Sequence, residues 1–266
     1  DKTFSNVHDD QIKRYEKELK AVGRQNIKCV YYKIVEQAHD EKDAINIKRN
    51  DLIDIFRKYK DKTENTILKD YYDYLLFIDK DVNSYKNFSI ADWRDKKHTY
   101  KGFFTHLVQN NIIQTKEDSI INGNYNWKYI SNPRCSFWGL WWYSIREEVV
   151  ESSGLKNNGI NEMYLQIEEY KTKDTENNDK IINIIAIKIV GDKNFNQSTR
   201  KEIFNFCNNF CKNRKEPAKF EKKKFRNGGH LTLGYIEYDE TNYKDRIELM
   251  QNLMQSIVND KYKNEN

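Results

Sequence analysis

The spacing of apolar side chains predicts helices through most of the first half of the chain. Apolar and aromatic residues recur every three or four positions over 6–22, and Gly23 stands where a helix would be capped. Further helices are predicted over 51–59, after an Asn50 cap, and over 66–78 and 91–111. The first helix has its apolar or aromatic positions at Ile12, Tyr15, Leu19 and Val22, and the helix over 66–78 carries Ile67, Tyr71, Tyr74, Leu75 and Ile78 on one stripe. In the region 91–111 the spacing places Trp93, Phe103, Phe104, Leu107 and Val108 inward.

Strand patterns precede and follow this helical region. Residues 27–34 are rich in β-branched and aromatic side chains, and residues 1–4 resemble the end of a strand, so a parallel βαβ unit is expected at the start. After residue 120 the apolar period changes to two. Strands are then predicted over 126–131, 135–143 and 230–238, a hairpin over 163–170 and 181–190, and helices over 197–213 and 240–258.

These elements predict a mixed α/β fold. It has a parallel βαβ start, a helical middle, a largely antiparallel, β-rich second half and a C-terminal helix. We divide the chain into residues 1–120 and an accessory region over 121–266, packed together as one continuous domain. The dense aromatic run Phe137–Tyr143 favours core packing over a base-stacking surface, and a helix layer or a partner chain, such as a second copy, would cover its second face.

Composition narrows the class of protein. Aromatic residues make up 14% of the 266 residues, which disordered chains rarely offer, and ten Gly with two Pro exclude collagen-like and Pro-rich scaffolds. No apolar run approaches the roughly 18 residues that a membrane span requires. Four scattered Cys do not form a disulfide framework, so we expect buried thiols at Cys207 and Cys211 and a cytoplasmic protein without a secretory leader.

Positive charge is concentrated in one segment. The net charge is only +5, but eight cationic and two anionic side chains lie between Lys212 and Arg226. Such a segment can fix phosphates, and the alternative is a solvated connection between a helix and a strand. The predicted nucleic-acid contacts in this segment are Lys219, Lys222, Lys223, Lys224 and Arg226.

The first residues of the chain include three side chains whose spacing would suit phosphodiester hydrolysis. Lys2 would lie at a strand end, and Gln11 and Tyr15 would lie one turn apart on the helix that follows. A lysine in that place can orient a water molecule or neutralise charge, and the amide and phenol can contact phosphate.

Asp1-Lys2-Thr3 and the Gln11-x-x-x-Tyr15 helix resemble the C-terminal part of a PD-(D/E)XK nuclease of the RecB-like branch. The stretches at 92–94, 101–104 and 135–143 also look similar to bacterial members of that superfamily. The resemblance implies a restriction-endonuclease-like sheet and a deoxyribonuclease, of endo or exo type, acting in restriction, repair or phage defence.

The resemblance also implies a set of site residues. Lys2 matches the motif lysine and Asp1 its variable position, so Lys2, Gln11 and Tyr15 are the catalytic candidates, with Lys13 and Arg14 beside them contacting DNA or, alternatively, RNA. The two carboxylates that would hold Mg²⁺ or Mn²⁺ are expected upstream of Asp1.

Several alternatives stay open at this level. Gln-x-x-x-Tyr occurs a second time at 166–170, within a predicted strand, so Gln11 and Tyr15 could simply pack a helix beside a surface Lys2. His8-Asp9-Asp10 fits a helix start better than a metal site. His98 and His106 lack an obvious third ligand. The rival function is a catalytically inactive module, derived from the same fold, that binds nucleic acid or a protein.

Overall fold

The computed structural model describes residues 11–93, 97–131, 136–152, 159–173, 175–191, 195–220, 225 and 229–263. Its α-helices are α1 (Gln11–Ala21), α2 (Arg49–Tyr59), α3 (Thr66–Val82), α4 (Lys97–Gln109), α5 (Glu147–Ser152), α6 (Gln197–Arg214) and α7 (Tyr243–Lys263). Its strands are β1 (Val30–Lys33), β2 (Ile45–Lys48), β3 (Asn126–Ile130), β4 (Phe137–Trp142), β5 (Ile160–Lys173), β6 (Asp179–Gly191) and β7 (His230–Glu237). The predicted mixed α/β fold, with a helical middle, an antiparallel second half and a C-terminal helix, is confirmed.

The chain divides into two compact units. The first comprises Asp1–Phe88 and Asp95–Thr105, and the second comprises Ser89–Arg94 and His106–Asn266. None of the helices in the described part of the chain has the length and apolar character of a membrane span.

A short parallel sheet lies in the first unit. β1 pairs with β2 in parallel, from Val30 opposite Ile45 to Lys33 opposite Lys48. The predicted strand at 1–4 lies outside the described residues, so the expected βαβ unit stays a prediction. β2 was not predicted, because its four residues alternate apolar with polar side chains over too short a stretch to stand out.

Helices α2 and α3 supply the core of the first unit. α2 begins at Arg49, one residue before the predicted Asn50 cap, and the Asp51 carboxylate accepts a hydrogen bond from the Lys48 backbone N–H at 2.8 Å. Asn65 caps α3 by accepting from the Leu68 N–H at 3.2 Å. The buried cluster here is Ile34, Val35, Ile53, Tyr72, Leu75, Ile78 and Val82.

The inward face of α3 differs from the predicted stripe. Leu75 and Ile78 are buried as expected, but Ile67 and Tyr74 are exposed, and Tyr72 and Val82 are buried instead. The predicted stripe was therefore rotated, because α3 has apolar side chains on more than one face and the spacing alone does not say which face packs.

Helix α4 packs closely against the end of α3. A Cβ at Gly102 would lie 2.0 Å from the Val82 carbonyl oxygen, so only glycine fits at this approach. Trp93, Phe103, Phe104 and Leu107 are buried as predicted. The predicted helical region 91–111 is a short 3₁₀ helix at Ile90–Trp93 followed by α4.

The second unit is built on a five-stranded antiparallel sheet. Its strand order is β3-β4-β5-β6-β7, and the long β5–β6 hairpin is the one that the sequence predicts. One sheet face carries the apolar residues Leu140, Ile167, Ile185 and Ile236 in register. α7 contacts this unit through Gln251, whose Oε1 accepts from the Trp142 indole N–H at 2.9 Å.

The aromatic run of β4 belongs to the core, as the sequence favours. Trp138, Trp142 and Tyr143 are buried, and Trp141 is only partly exposed. The Lys128 ammonium lies 5.4 Å from the centroid of a Trp141 ring. This indole therefore makes a cation–π contact and does not present an open face for base stacking.

The segment after α6 covers one edge of the sheet. Lys219 forms an isolated antiparallel bridge with Tyr235 of β7, with its N–H donating at 2.7 Å and its carbonyl accepting at 3.0 Å. The next residue, Phe220, lies where Gly234 leaves room, because a Cβ at Gly234 would lie 2.7 Å from the Phe220 ring.

Candidate functional site

Helix α1 carries the motif that the resemblance rests on. Gln11 is its first residue and Tyr15 follows one turn later, so both positions lie on one helical face. The Tyr15 ring is 46% exposed, and the Arg14 guanidinium lies 5.6 Å from its centroid. Lys2 lies outside the described residues, so its distance from Gln11 and Tyr15 stays untested.

The apolar stripe of α1 is largely uncovered. Tyr15, Leu19 and Val22, which carry the predicted helical spacing, are 46%, 42% and 72% exposed. Gly23 ends the helix with a φ of +80°, as predicted. The helix prediction is thus confirmed over Gln11–Ala21.

The other face of α1 is basic. Lys13 and Arg14 are exposed, and the Lys13 ammonium lies 3.7 Å from the Asp43 carboxylate. Because the Lys13–Asp43 ion pair is exposed, it contributes little to stability. The Lys13 and Arg14 side chains are both accessible to solvent.

The basic segment is only partly described. Lys222, Lys223, Lys224 and Arg226 lie outside the described residues. The Lys219 ammonium donates to the Glu237 carboxylate at 2.6 Å. Phe220 and Phe225, which the sequence interleaves with the cations, pack edge-on against Phe204 of α6, with centroids 6.2 and 5.4 Å away. These two rings therefore pack against the second unit.

The densest charged cluster of the first unit was not predicted. The Arg49 guanidinium is 5% exposed and donates to both Glu36 oxygens, at 2.6 and 3.0 Å. It also donates to the Asp79 carboxylate at 3.1 Å and to the Ile34 carbonyl at 2.8 Å. Such a fork is a strong, oriented ion pair, and the hydrogen bonds to these carboxylates raise the pKa of Arg49 against the effect of burial.

Two lysines lie near this fork. Lys33 ends β1 and is 9% exposed, and Lys101 of α4 is 4% exposed. Burial lowers the pKa of Lys33, and it lowers the pKa of Lys101 to about 8, with the Lys33 charge acting in the same direction and Glu36 opposing it. Clusters of perturbed titratable groups are enriched at functional sites.

Sequence reasoning missed this cluster because its members come from four separate elements. The one local signal is that Lys101 lies between Tyr100 and Phe104 on the apolar face of a predicted helix, where a cation is unexpected. Lys33 likewise lies within a run of apolar and aromatic residues, between Tyr32 and Ile34.

A second buried polar network lies on β5. The Glu168 carboxylate accepts from the Lys188 ammonium at 2.7 Å and from the Gln166 amide at 2.9 Å, and Lys188 also donates to the Thr232 hydroxyl at 2.8 Å. The second Gln-x-x-x-Tyr pattern, at 166–170, is on a strand as predicted, and its glutamine serves this network.

The described residues do not fit a divalent metal. No group of three His, Cys, Asp or Glu side chains among them could hold an ion. His98 instead shares a 2.7 Å hydrogen bond with Asp81, and His106 one of 3.2 Å with the Tyr243 hydroxyl. Cys207 and Cys211 are buried thiols, as predicted, and burial raises the pKa of Cys211 to about 12.

Comparison of the chain with protein-family models found no match, and neither a curated protein nor a solved structure matched it.

Proposed function

We propose that this chain belongs to a metal-dependent nuclease of the PD-(D/E)XK type that hydrolyses phosphodiester bonds in DNA. The observation that carries the proposal is the placement of Gln11 and Tyr15 on one face of a helix that precedes a parallel strand pair in the chain. This is the order of elements that the resemblance implies after the motif lysine.

Two further features support the proposal. The stripe of α1 formed by Tyr15, Leu19 and Val22 is the kind of surface that a helix packed on a larger sheet would bury. Parallel sheets are ordinarily covered and larger than two strands, so β1 and β2 fit the margin of a larger sheet.

The roles follow from side-chain chemistry. The Gln11 amide and the Tyr15 phenol would bind and orient the substrate, and the Lys2 ammonium would hold the attacking water or neutralise charge. A bound Mg²⁺ or Mn²⁺ would supply Lewis acidity. The resemblance implies that two carboxylates would hold this ion.

The basic residues would add affinity for the DNA backbone. Lys13 and Arg14 precede Tyr15 on α1, and Lys219 lies within the basic segment between Lys212 and Arg226. Contacts of this kind to phosphates release counterions, so binding should weaken steeply with salt.

The test uses the full-length gene product with double-stranded DNA, single-stranded DNA and RNA, in Mg²⁺ or Mn²⁺. We expect Lys2→Ala to reduce cleavage by about 100-fold or more and Tyr15→Phe to reduce it by about tenfold, in the range that positioned groups contribute. Lys17→Ala, an exposed change on the same helix, is the matched control and should cleave like the wild type.

Binding and cleavage are measured separately, and Gln11→Ala is tested in both. Full cleavage by Lys2→Ala would remove Lys2 from the mechanism. Salt-sensitive DNA binding without cleavage in either metal would overturn the nuclease assignment and favour the inactive binding module.

A further inference from the structure

Helix α3 has apolar side chains on two faces, and only one of these faces packs within the first unit. Three large side chains lie outside the packed face: Ile67, Tyr74 and Phe77 are 77%, 42% and 66% exposed. We call these three residues the α3 stripe. The packed face carries the buried residues Tyr72, Leu75, Ile78 and Val82. A second apolar face on a helix is a surface that another element is expected to cover.

The α3 stripe has the spacing of a seam between two helices. Seven residues separate Ile67 from Tyr74 and three separate Tyr74 from Phe77, which places them at a, a and d positions of one heptad pattern. The Tyr74 ring stacks on the Tyr71 ring with centroids 6.3 Å apart, and Tyr71 meets Phe56 of α2 edge-on at 5.8 Å. The stripe is therefore continuous with the aromatic contacts between α2 and α3.

The same seam carries negative charge. Asp70 is exposed and occupies the d position between Ile67 and Tyr74, and Asp81 occupies the a position after Phe77. None of the a and d positions of α3 is a cation. The Asp81 carboxylate shares the 2.7 Å hydrogen bond with His98, so Asp70 is the acid that a partner on the stripe would meet at its centre.

This charge disfavours a second copy of α3 as the partner. In an antiparallel pair with its twofold axis near Tyr74, the Asp70 carboxylate would lie against the Phe77 ring of the other copy, and in a parallel pair it would face the other Asp70. Both arrangements remove carboxylates from water without a partner, which is costly. A helix with a lysine or arginine opposite Asp70 removes this cost and fixes its own register on the stripe.

We propose that the α3 stripe is a docking surface for an amphipathic helix of another protein, with apolar side chains at its a and d positions and a lysine or arginine opposite Asp70. Tyr74 and Phe77 would supply the aromatic contact area that such interfaces use. The proposal does not rest on the nuclease activity, because none of these residues belongs to the catalytic candidates.

The test measures binding of a labelled helical peptide to the full-length protein by fluorescence anisotropy. The basic peptide spans about three heptads, with leucine at a and d, one central lysine in the seam and lysine beside it. The acidic peptide has glutamate in place of every lysine. We expect saturable binding of the basic peptide alone, with an affinity at least about tenfold lower for Phe77→Ser. Leu76→Ser is the matched control, because Leu76 is 37% exposed on α3 but lies outside the stripe, and it should bind like the wild type.

A charge reversal separates recognition from loss of folding. Asp70→Lys should lose the basic peptide and bind the acidic one, a gain that a misfolded variant cannot produce. No saturable binding of the basic peptide by the wild type, equal binding of both peptides, or unchanged affinity in Phe77→Ser overturns the proposal. Analytical ultracentrifugation tests the second copy: a wild-type dimer that Phe77→Ser dissociates would assign the stripe to self-association and would also overturn it.

Discussion

Replacing Lys101 by methionine should make the first unit more stable. The folded protein lowers the pKa of this ammonium from 10.5 to about 8, mainly through burial. Since one pKa unit corresponds to about 1.4 kcal/mol, the protonated side chain costs the folded state about 3 kcal/mol at neutral pH. Methionine keeps the length and apolar stem and removes the charge.

The pH dependence gives the sign of the effect. Between pH 8 and about 10.5 the unfolded chain keeps the Lys101 proton and the folded protein has lost it, so the free energy of unfolding of the wild type rises with pH in this window. Lys101→Met lacks this rise. The advantage of the variant should be about 3 kcal/mol at pH 7 and should shrink toward zero near pH 10.5.

The assay must report on the first unit. All five tryptophans of the sequence lie in the second unit, so indole fluorescence would follow the wrong part of the chain. Amide hydrogen exchange of the α2, α3 and α4 peptides gives the local free energy of opening instead. Lys69→Met serves as the control for loss of an exposed ammonium.

When the wild type and the variant are compared at the same pH, the contributions of other titrating groups to the free energy of opening cancel. The raised pKa values of Tyr31 and Tyr32 affect both proteins alike. A difference between wild type and Lys101→Met that stays constant from pH 7 to 10, or a variant less stable at pH 7, would refute the reasoning.

Three other substitutions test the packing. Lys188→Met leaves the buried Glu168 carboxylate without its ammonium, so the second unit should lose about 3 kcal/mol in urea unfolding followed by tryptophan fluorescence; an unchanged midpoint would contradict the ion pair. Gly102→Ala places a Cβ against the Val82 carbonyl and should destabilise the first unit by about 2 kcal/mol or more, measured by hydrogen exchange. Tyr238→Phe should gain about 1 kcal/mol by fluorescence-detected unfolding, because the buried hydroxyl has no hydrogen-bond partner among the described residues; a loss of stability would mean that the hydroxyl is satisfied.

The spacing of apolar residues predicted the helices and strands better than it predicted what packs against them. The β5–β6 hairpin and α6 follow from strong periodicity and from the Asn196 cap, which is a local interaction. The stripe of α1 has the right spacing for a packed helix, yet spacing cannot tell what covers it.

The charged cluster shows why the candidate site was harder to predict. Lys33 and Lys101 are far apart in sequence, so no local pattern joins them, and only the tertiary fold brings their charges close enough to act on each other. Gln166 and Glu168 illustrate the same limit, since polar alternation on a strand predicts an exposed face, whereas the structure buries both side chains.

The contact of Lys219 with β7 has a consequence for how the protein behaves in concentrated solution. A bare strand margin is a template on which another molecule's backbone can add and begin an aggregate. The backbone N–H and carbonyl of Lys219 form hydrogen bonds with the backbone carbonyl and N–H of Tyr235 on the edge strand β7. These two groups of Tyr235 therefore cannot pair with another molecule. Proline at position 219 would remove one of these links, and the resulting protein should self-associate at lower concentrations than the parent chain.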